Sequence, residues 1–286
     1  MGAWGAGLYA NDLAMDLKAT IASVVRLPLG TDELIKLLED TYSEVIEDED
    51  DDSYTSFWLV TADQFHKRGI PSARLFQRAF EIVDSGLDLK ILEELEMSPG
   101  DLRKRGKVLQ ELRTRLAEPV AEKKRKTLKK PESFVVQAGD VFLIPLFAHN
   151  NCINPYFAEW SEPQEQWGAA CIVKSTHIFD YLAVYQPLLL TTNFPLKKKP
   201  GFDEVLQATP WGLQRPGTCS KTHFARMKFE KIGQIKVDEV KLAKAFPEMD
   251  DGRSEAISDV SIANAFGHST NRGTLNELTN IVAKTK

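Results

Sequence analysis

Apolar residues at helical spacing dominate the first 117 residues. Leu13, Leu17, Ile21 and Val24 recur at intervals of four, four and three and form one stripe of a helix over 12–26. Asn11 is its expected N-cap, Asp12 suits its first turn, and Pro28 and Gly30 end it. A second helix starts at Thr31, buries Leu34, Leu37, Leu38, Tyr42 and Val45, and runs out in the acidic stretch EDEDDD. The segment 54–70 is apolar nearly all round (Phe57, Trp58, Val60, Ala62, Phe65), the mark of a central, buried helix. Ser72 caps a fourth helix that turns Leu75, Phe76, Ala79 and Val83 inward and stops at Gly86. Ser98, Pro99 and Asp101 announce a last long helix carrying Leu102, Leu109, Leu112 and Leu116. The pattern predicts an all-helical domain of about five helices over 1–117.

Residues 118–133 break the periodicity. They hold a proline near each end, six basic residues and almost nothing to bury, and they read as a linker. After Phe134 the pattern changes to strands. SFVVQAGDVFLIPL is two apolar runs split by Gly139-Asp140, a hairpin or bulge signal. GAACIVKS and HIFDYLAVYQPLLL are further strand-like runs, and THFARMKFEKIGQIKV alternates apolar with charged positions. Two late helices are expected, over 237–246 and 274–284. Residues 134–286 therefore predict an α+β domain with a bent, mostly antiparallel sheet. No internal repeat is present.

At 286 residues the chain is long for one core and comfortable for two. No stretch reaches about eighteen uncharged apolar residues, so no membrane span is expected. The opening lacks a basic leader, and Asp12 and Asp16 interrupt its apolar residues, which predicts a cytoplasmic protein. Three cysteines, an odd number in a chain this long, fit that compartment. The net charge of −5 is unevenly spread. Residues 1–117 carry 14 Lys/Arg against 22 Asp/Glu, residues 118–133 carry 6 against 3, and residues 134–286 carry 16 against 16. An acidic first domain repels nucleic acid and favours basic partners.

Candidate chemistry is sparse. Gly5-Ala-Gly7 precedes a helix N-terminus, where phosphates bind, but it lacks a preceding strand, a P-loop Lys-Ser/Thr and the dinucleotide spacing. It reads instead as a tight turn that folds Trp4 and Tyr9 back onto the first helix, and no cofactor is expected. His149-x-x-Cys152 and Cys219-x-x-x-His223 have spacings compatible with zinc, and Cys171 with His177 makes a third, unlike pair. No Cys-x-x-Cys occurs, and Cys171 lies in an apolar run where a thiol packs as a small core side chain. A thiol–base enzyme would pair Cys152 or Cys219 with His149, His177 or His223, yet no nucleophile elbow or cysteine-protease signature is present. A hydrolase alternative rests on Asp140, His149, His177 and His223. A second alternative, a nucleic-acid-associated defence or regulatory factor, rests on KKRKTLKK, residues 123–130, which suits phosphate contacts but has no aromatic residue on which a base can stack. Glu47, Asp48, Glu49, Asp50, Asp51 and Asp52 lack the spaced ligands and turn glycine of a calcium loop, and read as a solvated landing site for a basic protein. Trp160 and Trp167, in AEWSEPQEQWG, are candidate binding anchors in a polar loop, or else cover one sheet edge.

Gly2, Trp4, Gly5, Gly7, Asn11, Asp12 and Asp16, in that order, resemble the opening of the bacterial domain-of-unknown-function 4259 family. Gly139, Asp140, Val141, Phe142, Ile144 and Pro145 are similar to the strand-opening run of bacterial immunity protein family 26. The resemblances imply a bacterial protein. The second implies a non-catalytic immunity protein that neutralises a toxin by stoichiometric occlusion, and brings no catalytic residue. The expected partner is a basic toxin or nuclease.

Overall fold

The computed structural model describes residues 5–153, 162–207, 211–213, 216–245 and 282–283. These fall into two units that divide between Lys129 and Lys130.

The first unit is helical: α1 (Asp12–Val24), α2 (Thr31–Thr41), α3 (Ser43–Ile46), α4 (Asp52–Lys67), α5 (Ala73–Ser85), α6 (Leu87–Glu94) and α7 (Pro99–Ala117). The caps sit where the sequence placed them. Asn11 accepts from Ala14 N–H at 2.7 Å, Ser72 from Leu75 N–H at 3.2 Å and Ser98 from Asp101 N–H at 3.1 Å. Helix α4 is the axis of the unit. Every residue from Tyr54 to Phe65 is buried, and α1, α5, α6 and α7 pack around it. Two short helices were not anticipated. Helix α3 continues α2 past a break at Tyr42, and α6 follows directly on Gly86. Both are too short for a periodic stripe to stand out.

The basic stretch departs from the free linker expected over 118–133. Its part up to Lys129 belongs to the helical unit. Lys123 N–H donates to Gly69 O at 3.2 Å, and Leu128 N–H to Arg26 O at 2.7 Å. The Arg125 guanidinium donates to Val25 O at 3.0 Å and also to Leu29 O, carbonyls just past the end of α1. A cation there complements the negative end of the helix. Gly69 permits the crossing: its φ is +69°, and an added Cβ would stand 2.6 Å from Ala121 O. A chain with little to bury is held here by backbone bonds and one arginine.

The second unit is built on an antiparallel sheet in the order β4 (Trp211–Leu213), β3 (Leu182–Pro195), β2 (Gln166–Ile178), β1 (Asp140–Leu146), β6 (Glu230–Gln234), with β5 (Gly217–Thr218) also pairing β3. Helices α8 (Phe202–Leu206) and α9 (Lys221–Arg226) lie in its connections, and α10 (Glu239–Ala245) follows the last of its strands. A separate two-stranded ladder joins β7 (Lys236–Val237) to β8 (Val282–Ala283). Strand β1 shows why the central runs look apolar throughout. Val141 and Leu143 enter one core with Ala169, Cys171 and Leu188, while Phe142, Ile144 and Leu146 enter clusters on the opposite face. Both faces are covered, so the usual alternation is lost. Pro145 lies beyond the β1–β6 pairing, and Pro187 sits beside a register shift opposite Ile172, places where a missing N–H is tolerated.

Four sequence expectations change here. Residues 133–138 form no strand and lead into a turn closed by Asp140 N–H to Gln137 O at 3.1 Å. HIFDYLAVYQPLLL is the end of β2, a turn and β3, because Phe179 and Asp180 take left-handed backbone with φ of 48° and 61°. They fill the two central positions of a turn closed by Tyr181 N–H to Ile178 O at 3.1 Å within a three-residue loop, at a cost of about 1–3 kcal/mol for each non-glycine residue. The alternating run after Thr222 starts as α9, capped by Ser220, before becoming β6 and β7. Of the late helix over 274–284, Val282 and Ala283 pair as strand β8, and the remainder lies outside the described residues.

Gly139, with φ of +90°, would place a Cβ 1.9 Å from Ile235 O, while its own N–H donates to Ile172 O at 2.6 Å. Gly139→Ala is expected to destabilise the second unit by about 2–4 kcal/mol, read as a lower urea midpoint for the full chain.

Candidate functional site

The residues that hold the opening segment are polar and come from distant parts of the chain. Tyr9 leaves the glycine run with its hydroxyl against Asp63, a carboxylate with no exposed side-chain surface. The Tyr9 hydroxyl donates to Asp63 and accepts from Gln64 Nε2, whose Oε1 in turn accepts from Arg68. Asp63 also receives Lys67 Nζ at 2.6 Å and Arg115 Nη2 at 2.6 Å. Lys18 and Lys67 stand over the Tyr9 ring at 5.4 and 5.3 Å from its centroid.

Burial alone pushes the Asp63 carboxyl up, but the bonds from Lys67, Tyr9 and Arg115 outweigh it and hold the group below the ordinary carboxylate range. Burial and the neighbouring Asp63 push the Tyr9 hydroxyl up, so it serves as a neutral donor. The arrangement is a closed latch rather than an acid–base pair.

A second buried pair secures the same segment. Arg105 grips Asp88 with two bonds, Nε to Oδ2 at 2.9 Å and Nη2 to Oδ1 at 2.8 Å, and Nη1 donates to Gly7 O at 2.8 Å. Thr55 adds a hydroxyl bond to Asp88 at 3.0 Å, and Asn11 Nδ2 donates to Ser56 Oγ at 2.9 Å. The opening glycines therefore run beside α4 with their backbone read by an arginine. Tyr9 folds back as expected, for a polar reason more than an apolar one; Trp4 lies outside the described residues. Sequence reading missed both networks. Their local trace is Asp63 and Gln64, with Thr55, Ser56 and Thr61, standing among the buried residues of α4.

The acidic run is more structured than a solvated loop. Glu47 closes α3, Asp51 caps α4 by accepting from Ser53 N–H at 2.7 Å, and Asp52 is the first residue of α4. Glu49 pairs with Arg78 at 2.8 Å and accepts from Tyr54 at 3.0 Å. Glu47, Asp48, Glu49, Asp50 and Asp51 remain exposed. A bond from Ser53 holds the Asp51 carboxyl down, whereas burial and the Asp51 charge push Asp52 up.

The three cysteines enter different apolar clusters. Cys152 packs with Ile144, Leu146, Ala170 and Leu189, whereas Cys219 packs with Val136, Phe142, Ile172 and Tyr185. Burial pushes the Cys152 thiol up to about 12 and raises Cys171 too, so neither is poised as a thiolate. His177 Nε2 meets Glu132 O at 2.8 Å, with its ring against Phe134 at 4.5 Å. His149 is exposed on a left-handed residue after β1, and His223 lies in α9. Asp140 is buried, accepting from Gln137 N–H at 3.0 Å and meeting Lys231 Nζ at 2.6 Å. Among the described residues, no three His, Cys, Asp or Glu side chains gather as a metal site requires. This includes His149, Cys152, Cys219 and His223.

Trp167 is a strand residue of β2, half-buried against one core and covered by Lys199 Nζ at 5.3 Å. It therefore covers the sheet and does not stand in a free loop. Trp160 lies outside the described residues. Comparison with protein-family models, curated proteins and solved structures finds no match to the chain.

Two measurements check this account. Because the Asp63 carboxyl lies below its ordinary value, its stabilisation is complete above about pH 4 and is lost as pH falls through the lower folded value. Asp63→Asn is expected to cost about 3 kcal/mol near neutrality, with the gap to wild type narrowing in acid, read by urea denaturation across pH. The second concerns thiol access: in the native chain at about pH 8, iodoacetamide leaves Cys152 and Cys171 unmodified, and mass spectrometry finds both alkylated once denaturant is added.

Proposed function

We propose that the chain works by stoichiometric binding of a basic protein, as a bacterial immunity protein neutralises a toxin in the cytoplasm. The observation that carries this reading is the acidic stretch 47–51. It puts consecutive carboxylates in water on a support fixed by the Asp51 cap and the Glu49–Arg78 pair. A charged surface held in place steers a complementary partner and loses little side-chain entropy on contact. The resemblances at Gly2–Asp16 and Gly139–Pro145 support a bacterial setting, and the second supports a toxin as the partner.

The reading also agrees with how the other reactive groups are used. The two perturbed thiols are packed as core side chains, Asp140 is spent on a turn and on Lys231, and His177 braces a hairpin.

The test starts with affinity capture by the full chain from a bacterial lysate, followed by purification of the basic protein retained. Glu47→Lys, Asp48→Lys and Asp50→Lys together are expected to slow association about tenfold at low salt, and the difference should shrink as salt rises. Stopped-flow mixing reads the rates. An unchanged rate at low salt removes the acidic stretch from the binding surface.

A further inference from the structure

We propose that a cleft on the helical unit binds a small molecule with one carboxylate and an apolar tail, of the medium-chain fatty-acid class. This role is separate from the binding of a basic protein. The cleft lies where α6 and the end of α5 meet the side of α7, and its volume is about 530 Å³. That is the size of a site for a small molecule.

Gly106 is the first ground. It lines the cleft from the middle of α7, and among the described residues it is the one glycine inside a helix beyond the first turn. After proline, glycine is the poorest helix former. Packing does not ask for it. Its φ is not left-handed, and an added Cβ would meet Leu89 Cδ1 at 3.7 Å, an ordinary contact. A glycine the fold does not need lets a ligand approach the backbone closely.

Charge is the second ground. Arg103, Lys104, Arg105 and Lys107 crowd one stretch of α7. Lys104 pairs with Asp101 at 2.8 Å, and Arg105 with the buried Asp88 at 2.8 Å. Arg103 and Lys107 are exposed, have no ion-pair partner among the described residues, and both line the cleft. They stand four residues apart on the helix, a spacing at which like charges repel. An anion held between them replaces that repulsion with attraction.

The two ends of the cleft differ. Asp88 bonds Arg105 and Asp84 bonds Arg113, so α6 runs beside the start of α7 and the end of α5 beside its later turns. Arg103 therefore marks the α6 end. Val83 and Leu109, both buried, lie towards the α5 end, where the Glu111 carboxylate repels a second anion. The ligand that fits has a single anionic head at Arg103 and Lys107, and an apolar body that passes Leu89 and Gly106. A fatty acid has that order, and a dicarboxylate or a phosphodiester chain does not. Arg103 to Glu111 spans roughly 12 Å of helix, which a decanoate chain covers.

The test titrates the full chain with sodium decanoate in a calorimeter. One saturable site is expected, filled at about 1 mM ligand or below. Arg103→Gln and Lys107→Gln together should weaken it at least about fivefold, and by less as salt rises. Gly106→Leu, which puts a side chain into the cleft, should weaken it at least about tenfold. Gly106→Ala should melt about 3 °C higher, because the exchange suits the helix. The paired glutamine variant and Gly106→Ala keep α7 intact, so they decide the matter even where Gly106→Leu does not fold. Absence of a saturable site, or affinity unchanged in the paired glutamine variant, overturns the proposal. A Gly106→Ala chain that melts no higher shows the glycine to be structural and overturns it too. Retention on phosphatidylglycerol vesicles without binding of decanoate, or a dimer that Gly106→Leu dissociates, assigns the cleft to a bilayer or a second copy and overturns it as well. These results hold whether or not a basic protein is captured, so the two readings fail separately.

Discussion

A carboxylate with no exposed surface stays charged only if cations reach it, and Asp63 imposes that condition on much of the helical unit. Lys67 answers from the same helix, Arg115 from α7 and Tyr9 from the opening segment. Asp88 sets the same condition on Arg105, whose remaining donor takes Gly7 O. Losing one partner of such a cluster leaves an uncompensated buried charge, whereas apolar contacts degrade gradually. The helices are packed by leucines, but their register and the path of the N-terminal run are set by these two carboxylates.

The second unit obeys a different constraint. Its central strands are covered on both faces, so β1 and β2 carry apolar residues at consecutive positions. The polar groups that remain serve the edges. Asp140 ties the turn before β1, Ser175 Oγ donates to Val136 O at 3.3 Å, and Tyr185 Oη accepts from Val135 N–H at 2.8 Å. These side-chain bonds tie the segment after the unit boundary to β2 and β3.

The proposed contact feature follows from these constraints: the acidic stretch stands on α4, the most buried helix, as an exposed group on a fixed base. The cysteines and Asp140 are drawn inward, where burial raises the Cys152 and Cys171 thiols and Asp140 is spent on structure.

Helix caps were legible in the sequence because a cap acts across three or four residues: Asn11, Ser72 and Ser98 bond where local spacing placed them. So were the change from helical to strand pattern after Phe134 and the buried character of α4. Short α3 and α6 were not, since one or two turns leave no period to read. The turn at Phe179-Asp180 was hidden because Phe179 is not a turn residue and no glycine or proline stands beside Asp180. The basic stretch looked free because its bonds are made by backbone groups, which no side-chain pattern reports. Tyr9 and Asp63 are 54 residues apart, Asp63 and Arg115 are 52, and Gly7 and Arg105 are 98. Local propensity and periodicity act over a turn or two of chain and are written in the sequence. Which distant charges meet depends on how the helices stack, and only the folded chain decides that.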